Sequence, residues 1–196
     1  MQAESIQSAG ETDEQLMDFF ARGSADAFDR LFQRYRNPVF GFFRRRIADP
    51  AQAEELTQET FLAVIRARGR YQATALFRTY LYGIAFRVLH AYRRKAIFRA
   101  VFTGSMPAHS EPSEDSHLES ELILRTTIAQ LERIDREILL LREFEELSYA
   151  EIAQLLRIPV NTVRSRLFRA RMALREHLAT PVQPNNSGLS NVEEHA

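Results

Sequence analysis

The 196-residue chain contains no cysteine. That excludes a disulfide framework, thiolate metal sites and a cysteine nucleophile. It also has no apolar run approaching the roughly 18 residues that a membrane-spanning helix needs. Its first residues carry acids where a secretory signal would have an apolar stretch. A cytoplasmic protein without membrane insertion is the expectation. The five histidines (His90, His109, His117, His177 and His195) are scattered. No Asp/Glu/His set has metal-site spacing, and no glycine-rich phosphate loop is present. The sequence therefore calls for no metal, no cofactor and no catalytic residue.

Net charge is missing too: 26 basic residues balance 26 acidic ones. The balance hides a strong asymmetry. Residues 1–23 and 101–121 are acidic, at −4 and −5, whereas residues 24–100 carry +9 and residues 122–180 carry +2. A basic body flanked by acidic segments suits a polyanionic partner. Hydrophobic content is 45%, with 14 Phe and 6 Tyr, enough for a packed core.

The most informative stretch is LSYAEIAQLLRIPVNTVRSRLFRARMALREHL, from Leu147 to Leu178. Ser148 and Glu151 form a capping box for a first helix, whose apolar face is Ile152, Leu155 and Leu156. Pro159 interrupts the period. Asn161 is expected to cap a second helix with Val163, Leu167, Ala170 and Leu174 inward. The small Ala153 permits a close crossing. This is the pattern of a helix-turn-helix, whose second helix enters the major groove. That helix presents Thr162, Arg164, Ser165, Phe168 and Arg169 outward, with Arg166, Arg171 and Arg175 beside them. Five arginines against one acid between Asn161 and Leu178 favour DNA over mere solvation of an amphipathic helix.

Upstream, a short helix is expected over Glu14–Phe20, ended by Gly23. A second, capped by Ser24, carries Phe28, Leu31, Phe32, Tyr35, Val39, Phe42 and Phe43, with a kink or break at Pro38. A third, DPAQAEELTQETFLAVIRA, has Asp49 as cap and Pro50 at its first turn. Its Ala53, Leu56, Thr60, Phe61, Val64 and Ile65 should face inward, and Glu54, Glu55, Gln58 and Glu59 outward. Ordinary solvation or a basic docking partner would explain that acidic face equally well. After a loop at Gly69–Thr74, FRTYLYGIAFRVLHAYRRK should form a helix from about Ala75. Its Leu81, Ile84, Ala85, Val88 and Leu89 face the core, while Arg78, Tyr82, Arg87, His90 and Arg94 lie elsewhere. Aromatics interleaved with bases suit single-stranded DNA; a basic helix end complementing its own dipole is the plainer reading. Composition shifts to Gly, Pro, Ser and acids from about Phe102. Two further helices, Leu118–Gln130 and Ile134–Phe144, precede the helix-turn-helix, and the tail after Thr180 should be disordered.

These pieces, in this order, resemble the extracytoplasmic-function (ECF) group of bacterial RNA polymerase sigma factors across about residues 13–178. The resemblance implies an all-α protein of two small helical domains joined by a flexible linker. Residues 13–98 correspond to a region 2-like domain and 99–117 to the linker. Residues 118–180 form a four-helix, region 4-like helix-turn-helix domain, before a tail at 181–196. On that likeness Asp49, Glu54, Glu55, Gln58 and Glu59 would meet the clamp helices of the core polymerase, which also offers its flap. Tyr71, Gln72, Thr74, Arg78, Tyr80, Arg87, His90 and Arg94 would serve the melted −10 element. Asn161, Thr162, Arg164, Ser165, Arg166, Phe168, Arg169 and Arg171 would serve the duplex −35 element. An anti-sigma protein is the further partner implied. The sequence departs from the family pattern at Tyr80 (usually tryptophan), Gly83 (arginine), Arg87 (asparagine), Glu132 (proline) and Arg157 (the turn glycine). Read without the resemblance, SYAEIAQLLRIPVNTVRSRL would also fit a helix-turn-helix regulator that binds duplex DNA without polymerase. The acidic face at 54–59 and the basic helix at 78–95 are what such a regulator would not need.

Overall fold

A computed structural model describes residues 11–71, 76–103 and 126–179, with side chains described to residue 98 in the first half and residue 176 in the second. Every regular element among them is helical: α1 (Asp13–Ala21), α2 (Ala25–Arg44), α3 (Pro50–Ala67), a short 3-10 turn (Arg68–Arg70), α4 (Phe77–Thr103), α5 (Arg133–Glu143), α6 (Tyr149–Leu156) and α7 (Val160–Ala179). A helical stretch at 126–130 precedes α5. The expected loop residues 72–75 and the tail lie outside the described residues.

Local chemistry sets the helix starts. Thr12 and Gln15 form a reciprocal capping box on α1, Ser24 caps α2, and Asp49 accepts the Ala51 N–H at 2.9 Å with Pro50 opening α3. Helix α4 starts at Phe77 instead of Ala75, and its first N–H is met from elsewhere. The Glu14 carboxylate of α1 accepts the Phe77 N–H at 2.9 Å. One helix thereby caps another.

Pro38 breaks nothing: α2 runs unbroken from Ala25 to Arg44. The proline removes one backbone hydrogen bond. Burial of Leu31, Val39, Phe42 and Phe43 on both sides of it holds the helix together. Helices α1, α2, α3 and α4 pack in succession, and Leu16, Met17, Leu31, Phe42, Phe43, Phe77, Leu81 and Leu89 fill the space between them. Three assignments differ from expectation: Phe19, expected inward on α1 with Leu16 and Phe20, is 41% exposed. Ile65 is 37% exposed, and Tyr82 is buried at 3%, its ring 5.7 Å from Phe42. Around Tyr82 the core continues along a second face of α4, because the second half of the chain packs there.

In that second half the run Ile138–Leu141 is buried throughout. α5 packs on α7, and α6 on α7. The Ser148–Glu151 capping box is present, and Ala153 and Val163 lie in the crossing. Arg157 takes the turn's left-handed conformation, φ 56° and ψ 47°, a geometry that costs a side-chain-bearing residue about 1–2 kcal/mol. Helix α7 begins at Val160. Asn161 therefore sits in the first turn instead of capping it, and its Oδ1 accepts from Arg164 Nη1 at 3.3 Å.

Candidate nucleic-acid interface

The outward face of α7 follows from its period. With Val163, Leu167 and Ala170 buried, Asn161, Arg164, Ser165, Phe168 and Arg169 are turned to solvent and Thr162 is half-buried. Phe168 is 67% exposed on this outward face. Arg164 lies beside Asn161, and Ser165 Oγ donates to the Thr162 carbonyl at 3.1 Å. These groups can read base edges through Arg164 and Arg169 and touch a thymine methyl through Phe168.

The other two arginines are engaged. Arg166 Nη1 donates to Asp135 Oδ1 at 2.8 Å and to Glu132 Oε2 at 3.2 Å. Arg171 donates twice to Glu143 Oε1, at 3.1 and 2.6 Å. In both, hydrogen bonds to these acids hold the guanidinium further toward its charged form. Both pairs tie α7 to α5 or to the residue before it. The usual proline position, Glu132, thus supplies part of the clamp.

In the first half, Asp49, Glu54, Glu55, Gln58 and Glu59 are all exposed on one side of α3, joined by Leu62 and Ile65 further along. Glu55, Glu59 and Lys95 line a cleft between α3 and α4, floored by Leu56 and Tyr92. Along α4 the candidates separate. Arg87 and Arg94 are exposed. Tyr71, Phe77 and Tyr80 form an aromatic cluster, with Tyr71 and Tyr80 rings 5.0 Å apart. Burial pushes both tyrosine hydroxyls up in pKa. His90 meets Phe86 edge-to-face with ring centroids 4.6 Å apart, and burial, with Arg93 and Arg133 nearby, lowers its pKa. Gln72 and Thr74 lie outside the described residues. Arg78 and Thr79 point to the second half of the chain: Arg78 Nη2 donates to the Glu146 carbonyl at 3.2 Å, and Thr79 donates to Glu151.

Sequence reasoning missed what lies beneath this contact. Arg46 Nε donates to Glu137 at 2.6 Å and Nη1 to Glu145 at 3.1 Å, with the Arg46 side chain 1% exposed and Glu145 fully buried. Arg45 reaches the same Glu145 oxygen at 3.0 Å. Only the triple-arginine run 44–46 hinted at it.

An acid-faced helix beside a basic aromatic one, coupled to a helix-turn-helix, is the layout of a sigma factor. Residues 31–97 match the family model for sigma-70 region 2, and residues 121–174 match that for sigma-70 region 4. The chain is 34% identical to the RNA polymerase sigma-H factor of Pseudomonas aeruginosa, over 84% of this chain and 92% of that one. It is 35% identical to the sigma factor CarQ of Myxococcus xanthus, over 83% and 95%. It is 32% identical to the ECF sigma-E factor of Haemophilus influenzae, over 88% and 96%. The fold is similar to that of the sigma factor RpoE of Bartonella quintana, solved with the anti-sigma factor NepR, at TM-score 0.69 and 18% identity over 79% of this chain and 98% of that one. The chain belongs to the ECF group of sigma-70 factors. It is an alternative sigma factor that directs transcription initiation.

Proposed function

We propose a division of labour within that role. The α3 face of Asp49, Glu54, Glu55, Gln58 and Glu59 docks on the clamp helices of core polymerase. The Tyr71–Tyr80 cluster, with Gln72, Thr74, Arg78, Arg87, His90 and Arg94, holds the melted −10 strand by stacking and phosphate contacts. The α7 face of Asn161, Thr162, Arg164, Ser165, Phe168 and Arg169 reads the −35 duplex, while Arg166 and Arg171 hold α7 on α5. The carrying observation is that solvent-facing Arg164, Phe168 and Arg169 project from the second helix of the helix-turn-helix, away from its core. The domain limits are 13–98 and 118–180, and the chain works in the cytoplasm without catalytic residues of its own. A sigma factor of similar fold, RpoE, is solved with the anti-sigma factor NepR; a protein of that kind is the expected inhibitor here.

The test uses the full chain with Glu55→Lys and Glu59→Lys together. Exposed changes of this kind cost under about 0.5 kcal/mol of stability. Co-elution with core polymerase should disappear while binding to a −35 duplex persists. Retained co-elution would sink the docking role. A wild-type chain that binds duplex but never core would instead favour a polymerase-independent regulator.

A further inference from the structure

We infer that Glu14, in the first turn of α1, is a positioning residue for promoter opening. Its carboxylate holds the start of α4, and with it the Tyr71–Tyr80 cluster, in place to receive the melted strand. The inference rests on the −10 reading above and adds to it a residue that acts through α4. The start of α4 has no cap of its own. Leu76 precedes the helix, and its carbonyl accepts the first ladder bond, from the Tyr80 N–H at 3.2 Å. An apolar side chain in that position offers no acceptor. No acid lies in the first turn of α4. Arg78 does, with its cation at the positive end of the helix dipole. Glu14 supplies the missing acceptor and the missing charge from another helix, 63 positions away. Its Oε1 accepts the Phe77 N–H at 2.9 Å, and it lines one cleft together with Leu76 and Arg78.

The holder is itself fixed. Asp13, the neighbouring residue, accepts from Arg34 Nη1 at 2.6 Å and from the Tyr35 hydroxyl. Arg34 also donates to the Glu11 carbonyl at 3.2 Å, and Arg30 pairs with the Glu11 carboxylate. The Thr12–Gln15 capping box closes the same turn, and Leu16 and Met17 are fully buried behind it. Polar contacts and core together anchor the start of α1 on α2.

What Glu14 holds is the aromatic cluster. The Phe77 ring, 1% exposed, is centred 5.4 Å from Tyr35, 6.4 Å from Tyr71 and 6.3 Å from Tyr80. Tyr71 is close enough that burial, followed by the Glu14 charge, pushes its hydroxyl up. Tyr71 and Tyr80 bracket the start of α4, so the place of Phe77 sets where both rings stand. Release of the Phe77 N–H lets the first turn fray, because nothing local replaces the cap. A strand meeting a frayed turn must re-form it, and affinity falls with the fraction of the chain that is ordered. The α3 docking face and the reading face of α7 lie outside that turn.

The experiment uses the full chain with core polymerase and a pre-melted −10 bubble. Glu14→Gln keeps the reach and an acceptor, and neutral acceptors cap as well as charged ones. Glu14→Asp keeps the charge in the first turn of α1 but is one methylene too short for Phe77. It should bind the bubble about two- to thirtyfold more weakly, the span that a lost helix cap converts to. Glu14→Gln should stay within about twofold of the wild type. Both should keep co-elution with core polymerase and binding to the −35 duplex. Amide exchange in the free chain, followed by nuclear magnetic resonance, is a second readout that needs no DNA. Exchange at Phe77 and Tyr80 should quicken in Glu14→Asp and not in Glu14→Gln. Wild-type bubble binding by Glu14→Asp, equal losses in both variants, or unchanged exchange at Phe77 would each overturn the inference. So would a matching loss on the −35 duplex, which would make Glu14 a residue of general stability. A wild-type chain that never binds the bubble, with the exchange pattern as expected, would instead count against the −10 reading alone.

Discussion

The arginines of α7 should divide into one reader and one brace. Arg164 is exposed, and its only described partner is Asn161 on the same turn. Its guanidinium is available for two hydrogen bonds to a guanine edge. Such a contact discriminates by about 1–3 kcal/mol. At 1.4 kcal/mol per tenfold, Arg164→Ala should weaken the correct −35 duplex by about 5- to 140-fold. A duplex mismatched at the contacted base should lose almost nothing more. Arg166 is one turn-face away and behaves differently. It is bonded to Asp135 and Glu132, and Asp135 is only 7% exposed. Removing it strands a buried carboxylate, so Arg166→Ala should lower the melting temperature while leaving the order of preference among duplexes intact. The assay is a fluorescence titration of the full chain against the matched duplex and each single mismatch, with a thermal melt alongside. An equal loss on every duplex for Arg164→Ala would reduce that residue to a phosphate contact. Altered base preference for Arg166→Ala would refute the brace.

Arg157→Gly should stabilise the protein by about 0.5–1 kcal/mol in denaturant unfolding, the left-handed strain relieved less the entropy that glycine costs. Ser148→Ala should cost about 1 kcal/mol, because the cap of α6 is lost, and should also weaken the −35 duplex through a loosened turn. Stability should fall as pH drops below about 6.5. Burial, Arg93 and Arg133 lower the folded-state pKa of His90, so the unfolded chain takes up that proton first. His90→Gln should flatten that limb of the stability–pH curve, and an unchanged slope would show that other groups carry it.

What could be read from the sequence was what neighbours in the chain decide. The Ser148–Glu151 box, Ser24, and the Asp49–Pro50 start depend on residues within one turn of each other. The helix-turn-helix and the acidic α3 face follow from period alone. Pro38 misled because its local penalty was outweighed by burial on both sides of it, and that burial is tertiary. Tyr82 misled for the same reason: its partners Phe42 and Glu145 come from distant segments, and burial followed by Glu145 pushes its hydroxyl up to about 12. For the arginines, charge patterning identified the basic face of α7. It could not say that Arg166 and Arg171 are occupied by acids of α5 and its approach. The Arg46–Glu145 pair spans 99 positions, and no local pattern contains it.

That separation also has a consequence in time. Arg45 and Glu145 are 100 residues apart. At about 5–20 residues per second, a ribosome needs about 5–20 s to go from one to the other. For most of that interval, once synthesis has passed Ala67, a nascent chain has α2 and α3 complete and Arg45 and Arg46 without their acidic partners. Every newly made molecule therefore passes through a period in which its first half can meet polymerase or DNA before its own second half exists to cover it.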